Sequence, residues 1–180
     1  MNFEKGRPLD TSGREDREIR VYDMLDNLGI EYYRVDHAPA NKMEACSEID
    51  KVLGIRICKN LFLNNRQMTK FYLLMMPEDK PFHTREVSPQ IHSARLSFGD
   101  EDHMVDLLDV HPGSVSILGL MNDREKRVQL LIDEDLLDLE YLGCHPCKNT
   151  SSLRIKTRDI IDTFLPAVDH NYIKIKITGD

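Results

Sequence analysis

Two apolar runs joined by a short polar connection constrain the fold of this chain more than any other feature. They are residues 57–63 and 71–76, and residues 64–70 separate them. Short runs rich in Leu, Ile, Phe and Met that are bounded by polar residues are typical of buried strands. We therefore predict that these two runs form a central strand pair.

Segments on both sides of this pair alternate between helical and strand patterns. Thr11 and Ser12 are candidate caps for a first helix that ends at Gly29, and a second helix ends by Gly54. Mixed patterns of this kind predict an α+β chain in which helices flank a curved mixed sheet. Further helices are predicted at 84–91, 101–108 and 157–165, and further strands at 30–36, 95–98, 151–155 and 172–177.

The segment from residue 111 to 150 contains two turns with unusual composition. The first reads His-Pro-Gly-Ser-Val-Ser (111–116) and the second reads Gly-Cys-His-Pro-Cys-Lys-Asn-Thr (143–150). Between them, apolar runs at 117–120 and 128–132 flank a polar turn, which predicts a β-hairpin. We expect this hairpin to hold the two turns close together.

Length and composition limit the classes of protein to which the chain can belong. Its 180 residues suit a single domain, 1–180, and it has no apolar run near the roughly 20 residues that span a bilayer. The first 16 residues carry charges and no apolar export signal, so we expect a cytoplasmic protein without membrane contact.

The charge pattern limits contact with nucleic acid. A net charge of −7 disfavours a protein that lies along a duplex, so any such contact should be local. Cations do cluster at Arg124, Lys126 and Arg127, although a solvated face is the ordinary interpretation of such a run.

Four cysteines leave two interpretations open. Cys144 and Cys147 have the Cys-x-x-Cys spacing of a redox pair or of half a zinc site, but no second pair accompanies them. The alternative is that all four are small thiols that fill space. We favour the second interpretation and expect neither a metal nor a cofactor.

Lys59 interrupts the first apolar run, and Asn60 beside it should lie on the opposite face of the strand. A lysine on a central strand needs a partner or an aqueous pocket, because an isolated buried charge costs several kcal/mol. It could equally be an edge-strand residue that discourages strand pairing. The spacing alone does not separate these alternatives.

Gly113 suits a turn with positive φ or a close backbone approach. Its neighbours' N–H groups could stabilise a developing negative charge, which we prefer to a nucleophilic role for Ser114 because no Gly-x-Ser-x-Gly motif surrounds it. His145 could be an acid, a base, a substrate contact or a histidine held by a carbonyl.

A series of short motifs resembles the prolyl-tRNA-synthetase-associated editing domains, and within them the free-standing alanyl-tRNA(Pro) deacylases. The resemblance covers residues 15–177, with all motifs in order. They are Lys59-Asn60-Leu61-Phe62-Leu63, Tyr72-Leu73-Leu74, Pro77-Glu78-Asp79-Lys80, Arg95-Leu96-Ser97-Phe98, Pro112-Gly113-Ser114-Val115, Asn122-Asp123-Arg124, and His145-Pro146 with Asn149-Thr150.

The resemblance implies strands that curl into a partial barrel flanked by helices, and trans-editing, the hydrolysis of a wrong amino acid from the 3′ end of tRNA. It implies catalytic roles for Lys59, Gly113 and Ser114. It also implies substrate binding by Asn60, Val115, His145 and Asn149, and prolyl-tRNA synthetase as a candidate partner. Ala-tRNA(Pro) is the expected substrate; a Cys- or Ser-charged tRNA, or a binding module without hydrolysis, are the alternatives.

Two departures from the family pattern affect these expectations. Ile117 stands where the family's glycine loop commonly ends in proline, which bears on the rigidity of that loop. Cys144 and Cys147 surround His145-Pro146 where bulkier residues are expected, which bears on the amino-acid preference.

Overall fold

A computed structural model describes residues 1–40, 43–56 and 58–180. Asn41, Lys42 and Ile57 lie outside the described residues, and Ile57 is where the first predicted strand begins. The strands are β1 (Phe3–Lys5), β2 (Tyr32–Asp36), β3 (Cys58–Asn64), β4 (Phe71–Pro77), β5 (Ser97–Phe98), β6 (Val128–Asp133), β7 (Tyr141–Cys144), β8 (Ser151–Lys156) and β9 (Tyr172–Ile175).

The helices of the described ranges are mostly short, and two of them continue into other helical turns. They are α1 (Asp16–Asn27), α2 (Met43–Leu53), α3 (Thr84–Val87) with a 3₁₀ turn at Ser88–Ile91, α4 (Glu101–Leu108), a 3₁₀ helix at Ile117–Asn122, α5 (Glu134–Leu137), and α6 (Thr157–Asp159), which a π-helical turn at Ile160–Phe164 joins to α7 (Leu165–Ala167). No helix in the described ranges is long and apolar enough to cross a bilayer.

Across these ranges the strands form two sheets. One is antiparallel with the order β1-β2-β8-β7, and the other is mixed with the order β5-β3-β4-β6-β9. In the mixed sheet β3 and β4 are antiparallel, whereas β4, β6 and β9 run parallel to one another. The predicted α+β class and the predicted central pair are confirmed, and the two sheets do not close into a barrel.

β4 shows why its sequence is apolar without interruption. Phe71, Leu73 and Met75 belong to the main apolar cluster, which also contains residues of α1, α4 and the antiparallel sheet. Tyr72 and Leu74 belong to a second cluster on the opposite face of the mixed sheet. Because both faces of β4 are buried, its alternating positions are all apolar.

The predicted β-hairpin is wrong. Residues 117–120 belong to the 3₁₀ helix, in which the Ser116 hydroxyl accepts a hydrogen bond from the Leu118 N–H at 3.1 Å. β6 pairs instead with β4 and β9. A short apolar run without a clear period fits a buried helix as well as a strand, and the cap at Ser116 decides for the helix.

The N-terminal region also differs from its prediction. α1 begins at Asp16 after Glu15, and neither Thr11 nor Ser12 caps it, whereas Gly29 ends it with a φ of +67°. Strand β1, which pairs with β2, was not predicted from the sequence.

Candidate functional site

The segment after α4 closes a tight turn around Gly113. The Ser114 N–H donates to the His111 carbonyl at 3.0 Å, and Gly113 has a φ of +89°. Pro112 in the second position and a positive φ in the third are the features of a type II turn, which only glycine adopts readily. The turn therefore needs the Pro-Gly pair that the sequence singled out.

Ser114 itself is committed to this turn. Its hydroxyl donates to the His111 carbonyl at 3.0 Å and accepts from the His111 N–H at 3.2 Å, and the side chain is buried. Within the described ranges, the N–H groups of Gly113 and Val115 have no acceptor. The turn thus offers two backbone donors, while the Ser114 hydroxyl stabilises its shape.

A cavity of about 290 Å³ separates this turn from the second predicted turn. Asn149 lies on its far side and is fixed by the backbone of Ala40, whose N–H lies 3.4 Å from Oδ1 and whose carbonyl lies 3.3 Å from Nδ2. The expected proximity of the two turns is confirmed, although no hairpin produces it. The lining residues are Arg17, Pro39, His111, Pro112, Ser114, Cys147, Lys148, Asn149 and Thr150.

His145 is held in one orientation and one tautomer. Its Nδ1 lies 2.8 Å from the Ser151 carbonyl oxygen, which can only accept, so Nδ1 carries the proton and Nε2 is a bare acceptor. Burial lowers the pKa of His145, and the nearby charge of His37 lowers it further, against the effect of the Ser151 bond. The ring is therefore neutral at neutral pH.

Lys59 lies apart from the cavity-lining residues. It shares a face of β3 with Leu61 and Leu63, which pack in the second cluster, and its Nζ lies 3.5 Å from the Glu78 carbonyl oxygen. Asn60 is on the opposite face, as predicted, and its buried Oδ1 has no donor among the described residues.

The start of β3 nevertheless lies against the segment that carries His145. The Cys58 thiol contacts the Gly143 carbonyl oxygen at 3.6 Å, two residues before His145. No hydrogen bond or ion pair in the described ranges joins Lys59 to His145 or to the Gly113 turn. The structure thus brings Ser114 and Asn149 to the same cavity. It places Lys59 outside that cavity on β3, whose first residue, Cys58, contacts β7.

Several residues near the site were missed by the sequence analysis. Arg17 and Pro39 line the cavity, and the His37 Nε2 bonds to the Ser152 hydroxyl at 2.9 Å beside His145. Asp50 on α2 has its pKa raised to about 6 by burial and by the charge of Glu78. Among these residues, only His37 and Pro39 belong to a segment with a recognisable sequence pattern, because His37-Ala38-Pro39 is typical of a turn.

The cysteines of the Cys-x-x-Cys motif are both buried. Burial raises the pKa of Cys147 to about 12, and it likewise raises that of Cys144. Protonated thiols are poor nucleophiles, which agrees with a space-filling role. Among the described residues no three His, Cys, Asp or Glu side chains are grouped as a metal site.

Residues 37–163 match the aminoacyl-tRNA editing domain family. The prolyl-tRNA editing protein ProX of Acetoanaerobium sticklandii is 29% identical over 145 residues, which cover 81% of this chain and 88% of the relative. The prolyl-tRNA synthetase associated domain-containing protein 1 of Danio rerio is 26% identical, over 86% of this chain and 84% of the relative.

Solved structures share the fold at low sequence identity. A crystal structure described as a candidate trans-editing enzyme for prolyl-tRNA synthetase has a TM-score of 0.66 at 14% identity, covering 90% of this chain and 98% of its own. Hypothetical protein APE2540 has a TM-score of 0.65 at 15% identity, covering 88% and 98%. At this identity the likeness concerns the fold alone.

Proposed function

The chain belongs to the aminoacyl-tRNA editing domain family and is an aminoacyl-tRNA deacylase, and we propose that its substrate is alanine esterified to tRNA(Pro). The observation that carries this proposal is the cavity between the Gly113 turn and Asn149, together with the N–H groups of Gly113 and Val115 in that turn, which have no acceptor in the described ranges. Two fixed backbone donors beside a cleft suit an ester whose carbonyl oxygen becomes negative during hydrolysis.

In the proposed mechanism, a water oxygen attacks the carbonyl carbon of the alanyl ester. The N–H groups of Gly113 and Val115 stabilise the resulting oxyanion, and Ser114 keeps them in place through its bonds to His111. The bond between the carbonyl carbon and the ribose oxygen then breaks, and the proton that the attacking water loses passes to the ribose oxygen. The products are free alanine and uncharged tRNA.

His145 and Lys59 complete the proposed site. The neutral His145 ring offers Nε2 as an acceptor for the water or for a ribose hydroxyl, because its Nδ1 is bound to Ser151. Lys59 supplies positive charge from β3, and Asn60 and Asn149 contact the aminoacyl end of the substrate. The assignment of Asn149 rests on its position beside the cavity and on the family resemblance, and the assignments of Lys59, Asn60 and His145 rest on the family resemblance.

We propose that the enzyme selects its substrate by size. A hydrophobic pocket distinguishes neighbouring amino acids by only about 1 to 3 kcal/mol per methylene, whereas a second, smaller pocket can exclude a larger residue outright. Alanine would enter such a pocket, and the correct amino acid, proline, would not. Cysteine and serine are close enough to alanine in size that they must be tested beside it.

The defining experiment is a time course of ester hydrolysis for Ala-, Pro-, Cys- and Ser-charged tRNA. We expect rapid loss of alanine from tRNA(Pro) and stable Pro-tRNA(Pro). Lys59→Ala should slow alanine release by about 100-fold, which is the usual effect of losing one electrostatic contact to a transition state. Lys174→Ala, an exposed lysine of β9, is the matched control and should retain wild-type activity.

Three outcomes would contradict the proposal. Faster hydrolysis of the Cys or Ser ester would reassign the substrate, and unchanged activity of Lys59→Ala would remove that residue from the site. Tight binding of charged tRNA with no ester loss would make the protein a binding module.

We also propose that residues 1–180 form one editing domain that acts in the cytoplasm on the 3′ end of tRNA, with prolyl-tRNA synthetase as a candidate partner.

A further inference from the structure

Five exposed cations lie side by side at one end of the mixed sheet, away from the cavity described above. Arg66 and Lys70 belong to the connection before β4, and Arg124, Lys126 and Arg127 belong to the connection before β6. The parallel register, in which Phe71 is opposite Val128, makes these two connections neighbours. We call these five residues the basic rim.

The basic rim differs from the cationic region formed by α1, β2 and the residues before α1 in having no acidic partners. Arg7, Arg14, Arg20 and Arg34 each form an ion pair with a carboxylate at 2.5 to 2.9 Å. Across the described ranges, by contrast, no carboxylate lies within 4 Å of a cationic nitrogen of the basic rim. Its positive charge is therefore not neutralised by the protein.

Buried side chains fix the connections that carry the rim. The Asp123 carboxylate accepts the N–H groups of Arg127 and Val128 at 3.0 and 2.8 Å, and it also contacts His170 Nε2 at 3.0 Å. Asn65 holds the other connection by accepting the Lys70 N–H at 3.1 Å. The cations consequently project from a preformed scaffold, which lowers the entropy cost of binding.

A cavity of about 540 Å³ lies along the basic rim, and Lys70, Lys126 and Arg127 line it. The Arg127 guanidinium stacks 5.3 Å from the centre of the Phe71 ring, which leaves its outer edge for a ligand. Asp169 also lines this cavity, and Glu125 lies on the same connection as Arg127. Cations nevertheless predominate here, in a chain whose net charge is −7.

Helix α4 connects the basic rim to the candidate active site. The His103 ring, in its first turn, lies 4.9 Å from the Phe71 ring, and the chain leaves its last turn directly into the Gly113 turn. Eight residues of α-helix extend over about 12 Å. A ligand that reaches both places must span at least this distance, and the basic rim favours a ligand with negative charge.

We propose that the basic rim binds the sugar–phosphate backbone of the tRNA acceptor stem while the 3′ end occupies the cavity beside Gly113. This inference rests on the proposed function. Phosphate contacts of this kind supply affinity independent of sequence, and each one steepens the dependence of binding on salt. A local basic surface reconciles an acidic protein with a polyanionic substrate.

The test compares the wild type with a variant that carries Lys70→Gln, Arg124→Gln and Arg127→Gln. A control variant carries Lys51→Gln, Arg158→Gln and Lys174→Gln, three exposed cations that have no carboxylate partner in the described ranges. Each protein is assayed on Ala-tRNA(Pro) and on an alanylated CCA trinucleotide from 50 to 300 mM KCl, and filter binding measures the affinity for uncharged tRNA.

We expect the rim variant to lose about tenfold or more in kcat/KM on Ala-tRNA(Pro) at low salt. The slope of log affinity against log salt concentration should become less negative by about 2 to 3, which is near one for each neutralised cation. Activity on the trinucleotide should not change, and the control variant should match the wild type on both substrates.

Two results would overturn the inference: a rim variant that behaves like the control on full-length tRNA, and a rim variant that loses equal activity on both substrates. If the triple variant does not fold, the Lys70→Gln/Arg124→Gln pair, which removes no aromatic contact, is tested in the same way. A wild type that hydrolyses neither substrate would overturn the proposed function alone, because filter binding of uncharged tRNA still tests the basic rim.

Discussion

The carbonyl oxygen of Ser151 accepts the Nδ1 proton of His145 at 2.8 Å, and this bond sets the histidine tautomer. The hydroxyl of the same serine donates to Asp36 at 2.6 Å and lies 3.3 Å from Glu18. Arg14 pairs with both carboxylates, at 2.9 Å for Asp36 and 2.6 Å for Glu18. A partly buried ionic network therefore supports the backbone atom that orients His145.

Replacing Ser151 by alanine should weaken both this network and the site. Ser151 is fully buried, so the variant leaves Asp36 with one donor fewer, and we expect a loss of about 1 to 3 kcal/mol in the free energy of unfolding. Deacylation should slow to a smaller extent, because alanine keeps the carbonyl that binds His145 and only the side-chain network supporting that carbonyl is weakened. Urea unfolding and the hydrolysis time course measure the two effects, and wild-type values in both would show that the network is dispensable.

Ser97→Ala is the control for this substitution, because it also removes a serine hydroxyl from a strand but at an exposed position. It should leave stability within about 0.5 kcal/mol of the wild type, as surface substitutions usually do.

Gly113→Ala should reduce deacylation far more than it reduces stability. The φ of +89° is strained for any residue with a Cβ, so the turn shifts and its two free N–H groups move away from the oxyanion. Loss of one such donor costs about 100- to 1,000-fold in kcat in other enzymes.

Gly13→Ala is a matched control for backbone strain, because Gly13 has a φ of +76° and a Cβ added there would meet only open space. Both variants should lose similar stability in urea unfolding, of about 1 kcal/mol. Only Gly113→Ala should lose activity, and a full-activity Gly113→Ala enzyme would exclude the turn from the oxyanion site.

The parts of the fold that could be predicted are those in which the local sequence pattern is compatible with only one local structure. β4 follows from an apolar run that is buried on both faces, β3 follows from the apolar run that pairs with it, and the Gly113 turn follows from Pro112-Gly113. The run at 117–120 was wrongly assigned to a strand, because an aperiodic apolar segment packs equally well as a strand or as a helix. The Ser116 side chain caps this helix, but the sequence identifies it as a cap only when the helix is already known.

The site was less predictable, because tertiary packing assembles it from distant segments. Arg17 and Pro39 reach the cavity only because α1 and the chain after β2 pack beside the loops at 111–114 and 147–150. No sequence spacing relates these segments. In the same way, the family resemblance pointed to Lys59, but its contact with the Glu78 carbonyl follows from the turn after β4.

Asp50→Asn should stabilise the protein in a pH-dependent way. Burial and the charge of Glu78 raise the pKa of Asp50 from 3.8 to about 6, so the folded state holds a proton that the unfolded state releases between these values. Asp50 therefore destabilises the wild type as pH rises through this window, and fully so above pH 6.

The variant should consequently match the wild type near pH 4 and exceed it above pH 6, by about 1 to 2 kcal/mol after allowance for solvent screening. Urea unfolding at a series of pH values measures this difference. If the variant and the wild type differed by the same free energy of unfolding at every pH, the raised pKa of Asp50 would be contradicted. Only a group that ionises makes this difference vary with pH.

Asn60→Leu should increase stability and abolish efficient deacylation. The buried Oδ1 of Asn60 has no donor among the described residues, and an unsatisfied buried acceptor costs about 1 to 3 kcal/mol. Leucine has a similar shape without the polar atoms, so the free energy of unfolding should rise. Because we propose that Asn60 contacts the substrate, this gain in stability should come with a loss of activity.

Asn64→Leu, on the same face of β3, is the comparison that separates these effects. Its Oδ1 is also buried without a donor in the described part of the chain, but its Nδ2 donates to the Asn65 carbonyl at 2.7 Å, and that bond is lost on substitution. This variant should therefore gain little or no stability and should keep its activity. If Asn60→Leu were instead fully active, the buried amide would have no part in binding the aminoacyl end, and substrate contact on this strand would have to come from Lys59.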